Sequence, residues 1–394
     1  MRTLAALALL ACAASARAAT PAAVLADGYL YVSGQGPRRP DGTTPKDPAA
    51  QVRQSLDNVK AAVEAAGLAL DHVVYTQVYL EDMGSYEAVD RVFAEYFPKD
   101  SPARAVLGVA HVPEPPLEIT AVAAADLTGR TAVRPSGRAP ARGYSPAVLT
   151  HDRLFVSAMP GSDPATGTVP SDPAAQVDLA LDRMRSVVES AGLTLANMVF
   201  VNPYLTQAIP TRVMNVEYAK RFEFGNTPGR ATIEVSSLPE GAQIAYTGVA
   251  VRDLTRRRAV RPKNMPPSPT ASPCVFAGDT LYCSAKSGFT PGPVSGVWGA
   301  TTLQQTHQTM RNQLDNLEEA EMAFGQVVFT TVYLDDLADL ASFDKAYGKY
   351  FPGALPARAT VQQIPSRDRR PNEDEQYPDL EQMSLIAVRT APRN

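Results

Sequence analysis

The sequence predicts an α+β protein in which one domain is written three times. Three observations lead there. A Pro-Ala-Arg or Pro-Gly-Arg step recurs at 102–104, 228–230 and 356–358, at intervals of about 127 residues, too long for a solenoid unit and the right length for a domain. The flanks recur in step. Asp-Pro-Ala-Ala-Gln-Val at 47–52 returns at 172–177, Gln-Ser-Leu-Asp-Asn-Val at 54–59 returns as Asn-Gln-Leu-Asp-Asn-Leu at 312–317, and Val-Tyr-Leu-Glu-Asp-Met at 78–83 returns as Val-Tyr-Leu-Asp-Asp-Leu at 332–337. Within a copy, the apolar period switches between that of a strand and that of a helix.

In repeat one, Leu30-Tyr31-Val32-Ser33 reads as a strand entering a Gly34-Gln35-Gly36-Pro37 loop. Val52, Leu56, Val59, Val63 and Ala66 then recur at helical spacing over 48–66, and Gly67 is a natural stop. Val73 to Leu80 is rich in β-branched and aromatic residues and reads as a strand. Tyr86, Val89, Phe93 and Phe97 share one face of a second helix ending before Pro98, and strands over 105–109 and 117–124 follow. The order β-β-α-β-α-β-β predicts a mixed sheet with both helices on one face. The stretches 126–135 and 253–262 repeat each other and run into Pro-rich, basic sequence without periodicity. They read as extended connectors between domains of 19–134, 135–261 and 262–394.

Hydrophobic residues make up 45% of the 394-residue chain, ample for folded cores. The first eighteen residues carry Arg2, a short apolar run and Ala16-Arg17-Ala18. They read as a secretory signal, too short to span a bilayer, with cleavage expected after Ala18 and a periplasmic or secreted mature protein. Leu-Leu-Ala-Cys at 9–12 allows a lipoprotein reading, although Leu10 fits it poorly. Loss of Arg2 and Arg17 would deepen a net charge of −4, which gives no electrostatic footprint for nucleic acid or an anionic membrane. Cys274 and Cys283 then remain, on either side of a strand–turn–strand centred between Gly278 and Asp279. A hairpin there would place them opposite each other, either as a cross-strand disulfide or as two buried thiols.

Val-Ser-Gly-Gln, Gln-Ser-Leu-Asp-Asn-Val-Lys-Ala, Val-Tyr-Leu-Glu-Asp-Met, Pro-Ala-Arg and Leu-Glu-Ile resemble the reactive intermediate deaminase (RidA, or YjgF-like) family. The match runs through all of repeat one and, more loosely, through repeats two and three. The resemblance implies chorismate mutase-like domains. Because family members are homotrimers with ligand pockets between subunits, it also implies a monomeric, covalent pseudo-trimer. It further implies hydrolysis of small enamine and imine carboxylates, such as 2-aminoacrylate, to a 2-keto acid and ammonia, without a cofactor. The residue types suit that chemistry. A planar guanidinium grips a carboxylate through paired, charge-assisted hydrogen bonds, and a nearby carboxyl group can direct water to the imine carbon.

Residue by residue, the resemblance makes Arg104 and Glu118 the catalytic pair, with Ser33, Gly34, Tyr144, Asn215, Arg230 and Arg358 as substrate-binding positions. The copies are unequal. Repeat two has Ala245 and repeat three Gln382 where repeat one has Glu118, and the tyrosine is Thr20 in repeat one and Ala271 in repeat three. The asparagine is Asp90 and Asp344 in the outer copies, and the glycine is Ala158 and Ala285 in the later ones. This complementary loss suggests one surviving site in which Arg104 and Glu118 face Tyr144 and Asn215, against the alternative of a scaffold in which all three sites have decayed. A charged insertion at 366–379 either overhangs a pocket or is a solvated loop.

The four histidines, His72, His111, His151 and His307, have no ligand spacing, so no metal site is expected. The sequence leaves three functions to weigh. The first is an imine deaminase acting on a small carboxylate, the second a non-catalytic carboxylate binder, and the third a ribonuclease, which the acidic net charge disfavours.

Overall fold

The computed structural model describes residues 20–135, 143–263, 265–292, 296–351 and 353–389. The leader expected at 1–18, with Cys12, lies outside the described residues. Repeat one runs through strands Ala23–Ala26 and Tyr29–Gln35, helix Pro48–Ala65, strand Val73–Leu80, helix Tyr86–Tyr96 and strands Ala103–Gly108 and Leu117–Ala124, in the predicted order. Asp47 caps the first helix by accepting the Ala50 N–H at 2.8 Å, and Pro48 occupies the first turn, where no donor is needed. Gly67, at φ +77°, ends it.

The spatial order of strands is Ala23–Ala26, Tyr29–Gln35, Leu117–Ala124, Val73–Leu80, Ala103–Gly108. Only the last pair is parallel, because the second helix carries the chain back between its members. Arg104 therefore sits on an edge strand beside Thr76, while Glu118 sits on an inner strand beside Tyr79. Val78 and Leu80 pack beneath the helices with Leu56, Val59 and Phe93. Tyr79 points the other way, into a cluster shared with Tyr204 and Tyr333 of the other repeats. That explains why the Val73–Leu80 strand is apolar on both faces. The inner faces of all three sheets meet around a common axis, which makes the chain a pseudo-trimer.

Repeats two and three build equivalent sheets, and each begins with a strand from what the sequence presents as connector. Thr131–Val133 pairs with Ala147–Leu149, and Arg257–Val260 pairs with Cys274–Ala277. The ends of the expected first and second domains thus belong to the sheets that follow them. These short segments alternate too briefly to register as strands.

Two devices close the ring. Arg153, fully buried, donates to Asp27 Oδ2 at 2.7 Å in repeat one and to Thr280 Oγ1 at 2.8 Å and Tyr282 at 3.2 Å in repeat three. One guanidinium of repeat two therefore ties all three copies together. The second device is a clasp made three times. The backbone N–H of Arg104 donates to Ser157 Oγ at 2.7 Å, that of Arg230 to Ser284 Oγ at 2.8 Å, and that of Arg358 to Ser33 Oγ at 3.0 Å. Each serine passes its own proton to a carbonyl of its own repeat, on Ser145, Ser272 and Pro21 respectively, at 2.6 Å. The chain of contacts runs from repeat one to two, two to three, and three back to one.

Cys274 and Cys283 are direct ladder partners and form a disulfide, the first of the two states the hairpin allowed.

Candidate active site

The clasps define three seams, each lined by the arginine of one repeat and, in the next, by the Tyr29–Gln35 strand or its counterpart, Arg153–Pro160 or Thr280–Ser287. In every seam the guanidinium lies over an aromatic ring from the second helix of its own repeat. The distances are 4.8 Å from Arg104 to the Phe93 centroid, 5.2 Å from Arg230 to Tyr218 and 5.3 Å from Arg358 to Tyr347. Such a platform fixes the plane of the guanidinium and presents its edge for bidentate contact. Of these three aromatics the sequence pointed only to Phe93, and to it as a helix-face residue, although their recurrence shortly before each Pro-Ala-Arg or Pro-Gly-Arg step was there to be read.

The third seam joins repeats three and one. Arg358 donates to Asp344 Oδ1 at 2.6 Å. Facing it is Glu118, only 4% exposed, whose Oε1 accepts the Glu114 backbone N–H at 3.1 Å. Burial pushes the Glu118 carboxyl up to about 8; the Glu114 N–H opposes this, the Glu114 carboxylate adds to it, and the positive Arg358 opposes it. Glu118 therefore holds a proton at neutral pH. Gly34 leaves the space in which it sits, since a Cβ there would come within 2.2 Å of Glu118 Oε2. Ser33 plays a different part from the substrate contact expected of it. Its single proton goes to the Pro21 carbonyl and its oxygen accepts from Arg358, so the hydroxyl holds the seam shut.

The first seam joins repeats one and two. Arg104, 4% exposed, is held between the rings of Phe93 and Tyr144, with the Tyr144 centroid 4.9 Å away. Its Nη2 pairs with Asp90, while its buried Nη1 has no hydrogen-bond partner among the described residues. The guanidinium opens on a cavity of about 40 Å³ lined also by Tyr86, Ala158, Pro160, Glu240 and Ala245. Ala245 is the counterpart of Glu118, since it pairs with Tyr204 as Glu118 pairs with Tyr79. Burial raises the Tyr144 phenol; Arg104 lowers it and Glu240 raises it further.

The second seam joins repeats two and three. Arg230 donates to the neutral Asn215 Oδ1 at 2.7 Å, and burial lowers its pKa. Gln382, the counterpart of Glu118 opposite Tyr333, donates across the seam to the Thr232 carbonyl at 3.1 Å. Glu381 turns to the helix side, bonded to Thr309, as strand alternation requires. The 366–379 insertion reaches this neighbourhood. Arg367 lies 3.5 Å from Glu234 of repeat two and 3.7 Å from Asp335.

The structure thus brings Arg104 together with Tyr144, Asn215 with Arg230, and Gly34 and Glu118 with Arg358. It does not bring Arg104 and Glu118 into one pocket, so the single four-residue site expected from complementary loss does not exist. The expected residues are distributed over three seams. Glu240 and Tyr86 were missed, because Ala245 looked like a simple loss with nothing in its place.

Three mixed-sheet domains closed into a ring, with an arginine at every seam, make this molecule an α+β pseudo-trimer of tandem domains. A family model described as Endoribonuclease L-PSP matches residues 12–125, 135–251 and 264–364. The chain belongs to that family, also known as RidA or YjgF-like, and carries three tandem copies of its domain. It is similar to a RutC family protein of Pyrococcus horikoshii, 41% identical over 104 residues, which are 26% of this chain and 82% of the relative. It is also similar to the 2-iminobutanoate/2-iminopropanoate deaminase of Escherichia coli K12, 42% identical over 99 residues, 24% of this chain and 77% of the relative. A solved chorismatase, 12% identical, aligns with 81% of this chain and 93% of its own at a TM-score of 0.52. That likeness concerns the fold, and it extends over more than one repeat.

Proposed function

We propose that the chain is a cofactor-independent hydrolase of small enamine and imine carboxylates, releasing a 2-keto acid and ammonia, with the chemistry in the third seam. The observation that carries this reading is the buried Glu118 carboxyl in the gap left by Gly34 and opposite the Arg358 guanidinium, raised by burial to about 8. Arg358 takes the substrate carboxylate. Glu118 then gives its proton to the methylene carbon of a 2-aminoacrylate-like enamine, which becomes the imine. As a carboxylate it next takes a proton from water while the water oxygen bonds to the protonated imine carbon, hands that proton to the amino nitrogen, and takes the new hydroxyl proton as the C–N bond breaks, which releases ammonia and the keto acid and leaves Glu118 protonated again. A carboxyl group whose pKa lies close to the working pH is suited to both transfers. The deaminase relative and the shared family support this reaction class.

The reading extends to the whole protein as an exported monomer. The Cys274–Cys283 disulfide supports an oxidising compartment, and the closed ring of clasps supports a self-sufficient monomer. The second seam favours carboxylate binding without hydrolysis, because Gln382 cannot accept a proton and its amide is tied to Thr232. The test generates 2-aminoacrylate in situ from serine and follows keto-acid release. Glu118→Gln should lower kcat by at least about a hundredfold, the usual size of a general acid–base contribution. A variant as fast as wild type would remove the third seam from consideration.

A further inference from the structure

The three sheets also enclose a space on the axis of the ring, away from its seams. A cavity of about 100 Å³ lies there, walled by all three repeats and by none of the seam arginines. Its levels follow from strand register. At the outer level each repeat sets one aliphatic side chain between two rings. Val122 stands between Tyr31 and Tyr75, Val249 between Phe155 and Phe200, and Ile386 between Tyr282 and Phe329. The rings meet across the seams, with centroids 6.2 Å apart for Tyr31 and Phe329 and 5.9 Å apart for Phe200 and Tyr282. Tyr75, Phe329 and the three aliphatic residues are only partly buried, so this level is the mouth. Two residues further along the strands the walls turn polar, where Gln77 pairs with Thr120, Asn202 with Thr247 and Thr331 with Ser384.

An apolar mouth over a polar level suits a molecule divided in the same way. Six rings offer faces and edges to a flat apolar ligand, and they hold water poorly, since a buried water needs two to four polar partners. Among the described residues no charged side chain lines the cavity. Burial raises the Tyr31 and Tyr75 phenols, which keeps both rings neutral. An ionised ligand would lose its hydration there with nothing to replace it. At the polar level Gln77 is already committed: its Oε1 accepts from Tyr75 at 2.9 Å and from Tyr204 at 3.1 Å, and its Nε2 donates to Tyr79 at 2.6 Å. The hydroxyls of Thr120 and Ser384 remain to face a ligand, and each can donate or accept. We propose that the axial cavity binds one small uncharged phenol or aromatic alcohol, with its ring among the six aromatics and its hydroxyl at the polar level. The size agrees, because a closed apolar cavity of roughly 150 Å³ takes benzene and this one is open at its mouth. Covalent linkage favours such a site. In a homotrimer an unsymmetrical ligand on the axis would meet three identical walls, whereas Gln77, Asn202 and Thr331 differ in length and donors and so select one orientation. The site does not depend on hydrolysis in the third seam.

Calorimetric titration of the full chain with phenol and with benzoate tests the proposal. Phenol should bind saturably, one per chain, with a Kd of about 1 mM or tighter. Benzoate should bind at least about tenfold more weakly, because its charge has no partner in the cavity. A seam arginine would prefer benzoate, so the order of the two ligands separates this cavity from the seams. Val249→Phe and Ile386→Phe each add a ring at the mouth from a partly buried position. Either variant, once circular dichroism shows it folded, should weaken phenol binding at least about tenfold. If neither folds, the order of the ligands on the wild type still decides. The absence of saturable phenol binding, benzoate as the tighter ligand, or a folded variant that binds phenol as the wild type does would overturn the proposal.

Discussion

Glu118→Gln should make the protein more stable at alkaline pH while removing its activity, and the size of that gain follows from the burial of one carboxyl group. Burial holds the Glu118 carboxyl at about 8 in the folded protein against an ordinary value of 4.5. Between those values the native state keeps a proton that the unfolded chain releases, so raising the pH favours unfolding. The loss begins near the lower value and is complete once the pH passes the upper one. Between pH 5 and pH 8 it amounts to about 3 to 4 kcal/mol by linkage. A glutamine of the same shape accepts the Glu114 N–H and carries no charge to desolvate, so the variant escapes this loss. Glu381, also raised to about 8 by burial, gives both proteins a trend of the same sign, and the difference between them isolates Glu118. Melting temperatures measured from pH 5 to pH 8 should diverge by about 4 to 5 °C at the upper end if the ring unfolds as one unit. Parallel curves for variant and wild type would mean that Glu118 is not protonated in the folded state, and the proposed acid would fall with it.

Two further substitutions probe the same architecture. Gly34→Ala drives a Cβ to within 2.2 Å of Glu118 Oε2; the carboxyl end can swing aside, so stability should change by no more than about 1 kcal/mol while kcat falls about a hundredfold, read by denaturant titration alongside the aminoacrylate assay. Arg153→Met removes the cation that bridges Asp27, Thr280 and Tyr282 and leaves buried partners behind; unfolding titrations should show a loss of about 3 to 5 kcal/mol.

Much of this was legible in the sequence because it rests on local pattern. The Val73–Leu80 strand has the bounds read from its composition, and the two helices of repeat one end within a residue or so of their predicted stops, at Ala65 and Tyr96. The assembly of the pockets was not legible, because it depends on the order of strands in space. Arg104 lies on the edge strand and Glu118 two strands inward, a lateral separation of about 10 Å. They are also offset along the strands, one beside Thr76 and the other beside Tyr79. Two such residues of one sheet cannot meet around one small molecule. The edge-strand arginine reaches the next repeat, and the inner-strand glutamate receives the arginine of the repeat before. Pairing Arg104 with Glu118 followed the resemblance and the complementary loss among the copies, where the sheet imposes distance.

The unequal seams follow from covalent linkage. In a homotrimer any substitution appears in all three pockets at once, so a change that removes the acid removes it everywhere. Here Ala245 and Gln382 have replaced the acid in two seams without touching Glu118, and Asn215 stands where Asp90 and Asp344 pair with the other arginines. What was kept in triplicate is what the ring needs to close: the serine that clasps each seam and the aromatic beneath each guanidinium. The arginines belong to this closing set through their backbone N–H groups, whatever their side chains bind. Three retained arginines are therefore weak grounds for three equivalent active sites. The groups that vary around them, Glu118, Glu240 and Gln382, are the ones that set what each seam does.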